Sequence, residues 1–412
     1  MSSDARLLDV IDRRFGETGG PRRIGIAVSG GSDSLSLLHL MAEWGRADLM
    51  AATIDHGLRP EAAEEAAYVA RFCEGLGIPH RTLRWRDWDG KGNLQDQARQ
   101  ARYRLLARWA DRQRLDTVAL GHTLDDQAET FLMRLAREAG LDGLSGMPQV
   151  FHRHDMRFDR PLLFERRSDL RAFLDRRGIR WVDDPTNEDE GFSRIKARRA
   201  LQALEPLGID VEVIGYSMLN LDFARTALAE HVREIALGLS QVIGGDIVFD
   251  RAKLRRQNPE ILRKLISGAL KWVSADTYPP RRDALSDVIA ALESPRNMTL
   301  HGCLIMPTDM TVRIAREFNA IKGLEGPTNR IWDGRWRLNG PHAEGLEVRA
   351  LGEALSQCPG WRDTGLPRQS LLASPAVWRG SELLAAPLAG LSNGWTAETQ
   401  GRDDFAASLL SR

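Results

Sequence analysis

The stretch that most constrains this chain is Ser29-Gly30-Gly31-Ser32-Asp33-Ser34. It follows an apolar, β-branched run, Ile24-Gly25-Ile26-Ala27-Val28, and precedes apolar residues at helical spacing, Leu35, Leu37, Leu38, Leu40 and Met41. That order reads as strand, tight turn, helix. Two glycines let the backbone turn sharply and bring its amides close to a ligand. A helix starting there offers unpaired N–H groups and the positive end of its dipole, so the turn suits an anion such as phosphate. The hydroxyls of Ser29, Ser32 and Ser34 add donors. Asp33 is the odd member, because a carboxylate beside a phosphate is repulsive unless a cation lies between them. It reads as a Mg²⁺ ligand. The turn lacks the Lys-Ser/Thr pair of a Walker A loop and the spaced glycines of the dinucleotide fingerprint. The plainer alternative is an ordinary strand-to-helix turn with a serine cap.

A chain of 412 residues, 42% hydrophobic and 28% charged, has enough apolar content for two or three packed domains. Its formal net charge is zero, so any nucleic-acid site must be a local basic patch. Cys73, Cys303 and Cys358 are far apart and form neither a disulfide framework nor a metal-ligand spacing. They point to a reducing, cytoplasmic setting. The first residues have no apolar signal core, and no stretch is long enough to span a membrane.

Strands and helices alternate after the turn. Residues 49–55, 80–85 and 116–121 read as further strands, and 61–76, 93–112 and 125–137 as helices. This rhythm predicts a parallel sheet covered on both faces, with ligands at the carboxyl ends of its strands. Three polar clusters fall at such ends. In Asp55-His56-Gly57-Leu58-Arg59, Asp55 suits a base or ribose, and His56 and Gly57 an adenine pocket; the alternative is an Asx turn. In the second cluster Asn93 suits a helix N-cap. Arg99 and Arg102 share a face near Tyr103 that suits a phosphate, or is simply a solvated basic face. The third, Gly121 to Thr130, is the most telling. Asp126 and Glu129 share a helical face, and His122 stands four residues before Asp126 at the strand end. Helix-dipole capping accounts for Asp125 and Asp126 but not for Glu129 or His122. Three groups aimed at one spot suit Mg²⁺ or a cationic amine.

Together the turn, DHGLR, the QARQARYR run at 97–104 and GHTLDDQAET resemble the tRNA(Ile)-lysidine synthetase family of N-type ATP pyrophosphatases. Gly143-Leu144-Ser145-Gly146-Met147, Arg160-Pro161-Leu162-Leu163 and Trp181 to Asn187 add to the match, which is dense from residue 24 to about 200. Two stretches depart from the family pattern: Arg137-Glu138-Ala139-Gly140 stands for Arg-Gly-Ser-Gly, and Ile195 stands where asparagine is common. The resemblance implies an α/β fold. Its parts are an N-terminal doubly wound parallel sheet at 1–205, a mostly helical tRNA-docking domain at 206–325, and a small β-rich domain at 326–412.

The implied reaction starts when ATP adenylates the C2 oxygen of the wobble cytidine, position 34, in the CAU anticodon of tRNA(Ile), releasing pyrophosphate. The amine of free L-lysine then displaces AMP to give lysidine, and reading shifts from AUG to AUA. Carried over by residue, Ser29, Gly30, Gly31, Ser32, Asp33 and Ser34 hold the pyrophosphate, with Asp33 on Mg²⁺, and Asp55 and His56 meet the nucleoside. His122, Asp126 and Glu129 surround the lysine, and Arg102 assists at the same centre. A homodimer is compatible with the family. The alternatives are a tRNA thiolase built on the same turn, disfavoured by the lack of a paired cysteine motif, and a tRNA-binding protein without chemistry.

The later chain is less specific. Residues 251–300 hold ten Arg/Lys against five Asp/Glu and are the best candidate for a tRNA-facing surface, the alternative being a basic solvated face. Helices are expected at 208–240, 259–273 and 281–292, and β structure from Met298 onward.

Overall fold

The computed structural model describes residues 2–17, 19–57, 62–86, 94–182, 193–276, 278–292, 294–400 and 404–410. Leu58, Arg59, the Asn93 cap, residues 183–187 and Phe192 lie outside them. The chain divides into two compact units, Met1–Arg225 and Thr226–Ser411.

In the first unit the chain order is α1 (Ser3–Phe15), β1 (Arg23–Ala27), α2 (Ser32–Trp44), β2 (Asp48–Asp55), α3 (Ala62–Gly75), β3 (His80–Arg84), α4 (Leu94–Gln113) and β4 (Thr117–Leu120). It continues through α5 (Leu124–Leu135), α6 (Leu141–Leu144), β5 (Val150–Arg153), β6 (Met156–Asp159), α7 (Arg167–Arg176) and α8 (Ser193–Leu204). The sheet order is β3-β2-β1-β4-β6-β5. All neighbours are parallel except β5, which pairs antiparallel with β6 at the edge. The expected doubly wound sheet is therefore present, with a hairpin added that the sequence reading had left out. Its turn, His154-Asp155, has φ of 51° and 59°, the twist a two-residue hairpin needs.

Successive strand residues face opposite sides, so the apolar runs feed two cores. Ile24, Ile26 and Val28 pack with Leu7, Ile11, Leu35, Leu38 and Phe173 on one face. Ala27, Val118 and Leu120 pack with Leu106, Trp109 and Phe158 on the other. Burying a Leu or Phe side chain is worth roughly 1.5–3 kcal/mol, so these two layers fix the strand register beneath the site.

The helix α9 (Val211–Leu239) spans the division between the units. The second unit continues with β7 (Ser240–Ile243), β8 (Asp246–Asp250), α10 (Arg251–Arg255), α11 (Pro259–Ser274), α12 (Arg282–Ala291), β9 (Met298–Leu300), β10 (Cys303–Pro307) and β11 (Thr311–Arg316). These strands form an antiparallel sheet, β7-β8-β11-β10-β9. The face of α11 built from Ile261, Leu265, Leu270 and Val273 packs on Phe249, Ile305 and Ile314 of that sheet. Further on, α13 (Phe318–Ile321), β12 (Glu325–Pro327), β13 (Trp336–Asn339), β14 (Glu347–Ala350), α14 (Arg368–Leu372), β15 (Pro375–Arg379), β16 (Glu382–Ala385) and β17 (Thr396–Thr399) complete the β-rich end. There β12-β14-β15-β16 form one antiparallel sheet and β13-β17 a second. No helix among the described residues is long and apolar enough to cross a membrane.

Candidate functional site

The strand order turns back between β1 and β4, and a crevice opens where neighbouring strands send their chains in opposite directions. A cavity of about 600 Å³ sits there, its wall including Ser29, Gly31, Asp33, His56, Arg102, His122 and Asp126. Ser32 and Ser34 also line it, whereas Gly30, Asp55 and Glu129 do not.

The turn is shaped by its own serines. Gly30 has φ of +91°, a conformation that side-chain-bearing residues rarely adopt. Its carbonyl accepts the Val182 N–H at 3.0 Å. The Ser34 hydroxyl donates to Gly31 O at 3.0 Å and accepts the Ser29 N–H at 3.1 Å. Ser32 Oγ donates to Asp33 Oδ1 at 3.0 Å. None of these hydroxyls caps α2, whose N-cap position is Gly31 and has no side-chain acceptor. The ordinary serine-capped turn is thus excluded, and the first-turn amides keep their capacity for an anion.

Gly121 brings the second loop against the first. A Cβ there would lie 3.0 Å from the Asp33 carbonyl carbon and oxygen and from Ser34 Cα. Immediately beyond it, Thr123 caps α5 and Asp126 returns the favour: its Oδ2 accepts the Thr123 N–H at 2.9 Å and hydroxyl at 3.1 Å. Capping is therefore one part of what Asp126 does. Its other oxygen faces Arg167, with N···O of 3.3 Å.

Arg167, the first residue of α7, joins the acidic groups. Its Nε donates to Asp33 Oδ2 at 2.8 Å, and a terminal nitrogen lies 3.3 Å from Glu129 Oε1. Its backbone N–H donates to Asp125 Oδ2 at 2.8 Å. Arg198 adds a 2.6 Å contact to Glu129 Oε1, and Arg194 lies 3.9 Å from Asp126. Burial pushes the Asp33 carboxyl above its usual range, against the pull of Arg167. Burial also opposes ionisation of Asp126, but Arg167, His122 and Arg194 hold its carboxyl below that range. Glu129 is 1% exposed, and its Oε2 has no hydrogen-bond partner among the described residues.

His122 is fixed from behind. Arg160, 4% exposed, donates from Nε to His122 Nδ1 at 3.2 Å and from Nη1 to the Pro148 carbonyl at 2.6 Å. Nδ1 is thus an acceptor, which assigns the ring proton of the neutral imidazole to Nε2. Burial pushes the His122 pKa down to about 3, Asp126 opposing and Arg160 and Arg102 assisting. His56 stands edge-on to Trp85, with ring centroids 5.9 Å apart, and burial followed by Arg102 lowers its pKa too. Asp55 makes the Asx bond of the plainer reading, accepting the Gly57 N–H at 2.9 Å.

Among the described residues no group of three or more His, Cys, Asp or Glu is placed to hold a metal ion. Asp33 is the carboxylate of the turn that could ligate Mg²⁺ beside phosphate oxygens and water, a cation that would share it with Ser32 and Arg167. Sequence reasoning missed Arg167 and Arg198 as members of the site, and missed the link from Arg160 to His122. Arg160 had a signal, its Arg-Pro-Leu-Leu motif; Arg167 and Arg198 were hidden in a generally basic stretch.

A family model described as a PP-loop domain matches residues 5–205. A tRNA(Ile)-lysidine synthase from Ruegeria pomeroyi is 50% identical over 396 residues, covering 95% of this chain and 94% of the relative. One from Wolbachia pipientis wMel is 31% identical over 385 residues, covering 89% and 88%. One from Orientia tsutsugamushi is 32% identical over 331 residues, covering 77% and 75%.

Proposed function

Because the chain belongs to the tRNA(Ile)-lysidine synthase family and is an ATP-using ligase that modifies tRNA, we propose how its residues divide the two steps of that reaction. ATP first adenylates the C2 oxygen of cytidine 34 in the CAU anticodon and releases pyrophosphate. The amine of free L-lysine then displaces AMP. One observation carries the assignment of residues. The uncapped turn at Ser29–Ser34 and the group of His122 and Asp126, with Glu129 behind it, meet at a single cavity across Gly121.

The α2 amides and the turn hold the leaving pyrophosphate, a preorganised stabilisation of developing charge. Mg²⁺, when bound at Asp33, would neutralise phosphate charge. Arg102 faces the same centre as a cation that makes no ion pair among the described residues. His122, with its proton on Nε2, donates to substrate oxygen rather than taking the proton of the attacking amine. That leaves Asp126, in the cavity wall, as counter-charge of the lysine ammonium, with Glu129 a second carboxylate buried behind it. Residues 206–325 are proposed to dock the tRNA and 326–412 to complete the β-rich end. The compartment proposed is the cytoplasm, and a homodimer is the assembly to test by mass measurement.

The deciding assay supplies radiolabelled lysine, ATP, Mg²⁺ and tRNA(Ile) transcripts with and without the CAU anticodon. Label is expected only on the CAU transcript. ATP cleavage without lysine transfer to any transcript would overturn this reading.

A further inference from the structure

Another group of arginines surrounds Tyr103, and among the described residues none of the four named below forms an ion pair. The Arg153 guanidinium lies 4.8 Å from the centre of the Tyr103 ring and that of Arg99 lies 5.7 Å from it. The Arg160 guanidinium sits 4.1 Å from the centre of the Phe151 ring, which is edge-on to Tyr103 at 5.6 Å. Arg102, the residue before Tyr103, lines the cavity. Among the described residues, Arg99, Arg102, Arg153 and Arg160 make no ion pair with any carboxylate. Arg160 is buried against two neutral acceptors and an aromatic face. Asp155, at the hairpin turn, is exposed.

Buried or half-buried charges are ordinarily paired, because desolvating a cation without a counter-charge is costly. Aromatic faces offset part of that cost but leave the net charge in place. Four like charges with low-dielectric walls between them focus a positive potential outward. Three of the four are also ordered in space. Arg102 is in the cavity wall, Arg99 is exposed one turn earlier on α4, and Arg153 is half-buried on the edge strand β5. Guanidinium groups offer planar donor pairs that match phosphate oxygens.

We propose that Arg99 and Arg153 form a track for the phosphodiester backbone of a single-stranded RNA segment, leading its base into the cavity at Arg102. The proposal rests on the tRNA reading above and adds the place where the strand crosses the first unit. The β5–β6 hairpin thereby gains a function, since it carries Arg153 to Tyr103. A free nucleotide is the rejected occupant: its phosphates are served by the turn at Ser29–Ser34, which lines the cavity, whereas Arg99 and Arg153 lie outside the lining.

The test is direct binding of a tRNA(Ile) transcript to the full chain by fluorescence anisotropy, across a salt series. The variants are Arg99→Gln with Arg153→Gln, and Arg99→Lys with Arg153→Lys as the charge-keeping pair. The glutamine pair should bind about tenfold more weakly and lower the log–log salt slope by about 1.4, at ~0.7 per lost single-strand phosphate contact. The lysine pair should keep the wild-type slope. Michaelis constants for ATP and lysine should stay within about twofold in both pairs, as expected when only a phosphate contact is lost. A glutamine pair with wild-type slope and affinity would overturn the track, as would a loss confined to the Michaelis constant for ATP. Because binding is read without turnover, inactivity of the wild type would sink the functional reading and leave this result intact.

Discussion

Two charged groups at and behind the cavity walls handle charge in opposite ways. In the acidic one, Asp33 and Asp126 in the wall and Glu129 behind it meet Arg167, Arg194 and Arg198, and the charges cancel locally. In the basic one, Arg102 lines the cavity, and Arg99, Arg153 and Arg160, outside its lining, are held by rings and neutral acceptors. The difference teaches what each group can accept. A compensated acidic group offers little net field, so a cation bound there must take over contacts that an arginine already makes. A basic group without ion pairs keeps more of its field for whatever anion arrives. Counting acids alone, as the sequence invites, gives the wrong electrostatics for the first group.

The harshest way to break the comparison is to remove the acidic group's link to the turn. Asp33→Asn should abolish turnover while tRNA binding survives, a loss of several kcal/mol of barrier and on the order of a hundredfold or more in rate. Pyrophosphate release measures it, and a normal rate would take Asp33 out of the chemistry.

Glu129→Gln probes the same group at its deepest point. Truncating one partner of a buried charge pair costs roughly 2–5 kcal/mol, and about 2 kcal/mol is a factor of about 30. That should appear as a higher Michaelis constant for lysine, with pyrophosphate release in the absence of lysine kept. If lysine dependence is unchanged, Glu129 serves only its contacts with Arg198 and Arg167.

His122 sits between the two groups, and pH separates its role. Its folded pKa, pushed to about 3, lies far below the ordinary 6.5. Between those values the unfolded chain binds a proton that the folded chain refuses, so stability falls as pH drops from about 6.5 towards 3. His122→Asn should flatten this dependence by up to about 1.4 kcal/mol per pH unit, read from urea midpoints. A variant with the same pH profile as wild type would show that burial, assisted by Arg160, does not hold the ring neutral.

The gentlest change asks whether phosphate binding extends beyond the basic group. Charge reversal at Arg255, Arg256 and Lys264 should each reduce the tRNA salt slope by ~0.7–0.9. Unaltered slopes would leave the first unit as the main electrostatic grip.

Much of the fold and part of the site could be read in the sequence, for a local reason. The turn at Ser29–Ser34 and the His122–Glu129 group are each set by strand, turn and helix within a few residues, so spacing suffices. Arg167 reaches Asp33 across 134 positions, and only the packing of α7 beside α2 brings them together. The β5–β6 hairpin was missed because His154-Asp155 puts positive φ on residues that do not announce it. The β7–β8 hairpin had its signal, Gly244-Gly245 at φ of 62° and 81°, but it lay at the end of a long helical pattern that obscured it. The helices expected at 259–273 and 281–292 correspond to α11 and α12 because their apolar spacing is unbroken.

Gly121 finally limits how such a site can vary over evolutionary time. With backbone atoms of Asp33 and Ser34 only 3.0 Å from where a methyl would be, the two loops abut like parts machined to one dimension. Lineages can exchange the side chains that project from either loop, and so retune what is bound. They cannot easily alter the gap between the loops. A Gly121→Ala drift would act as a shim, displacing both loops at once, and selection would meet it as a loss of spacing rather than of any single contact.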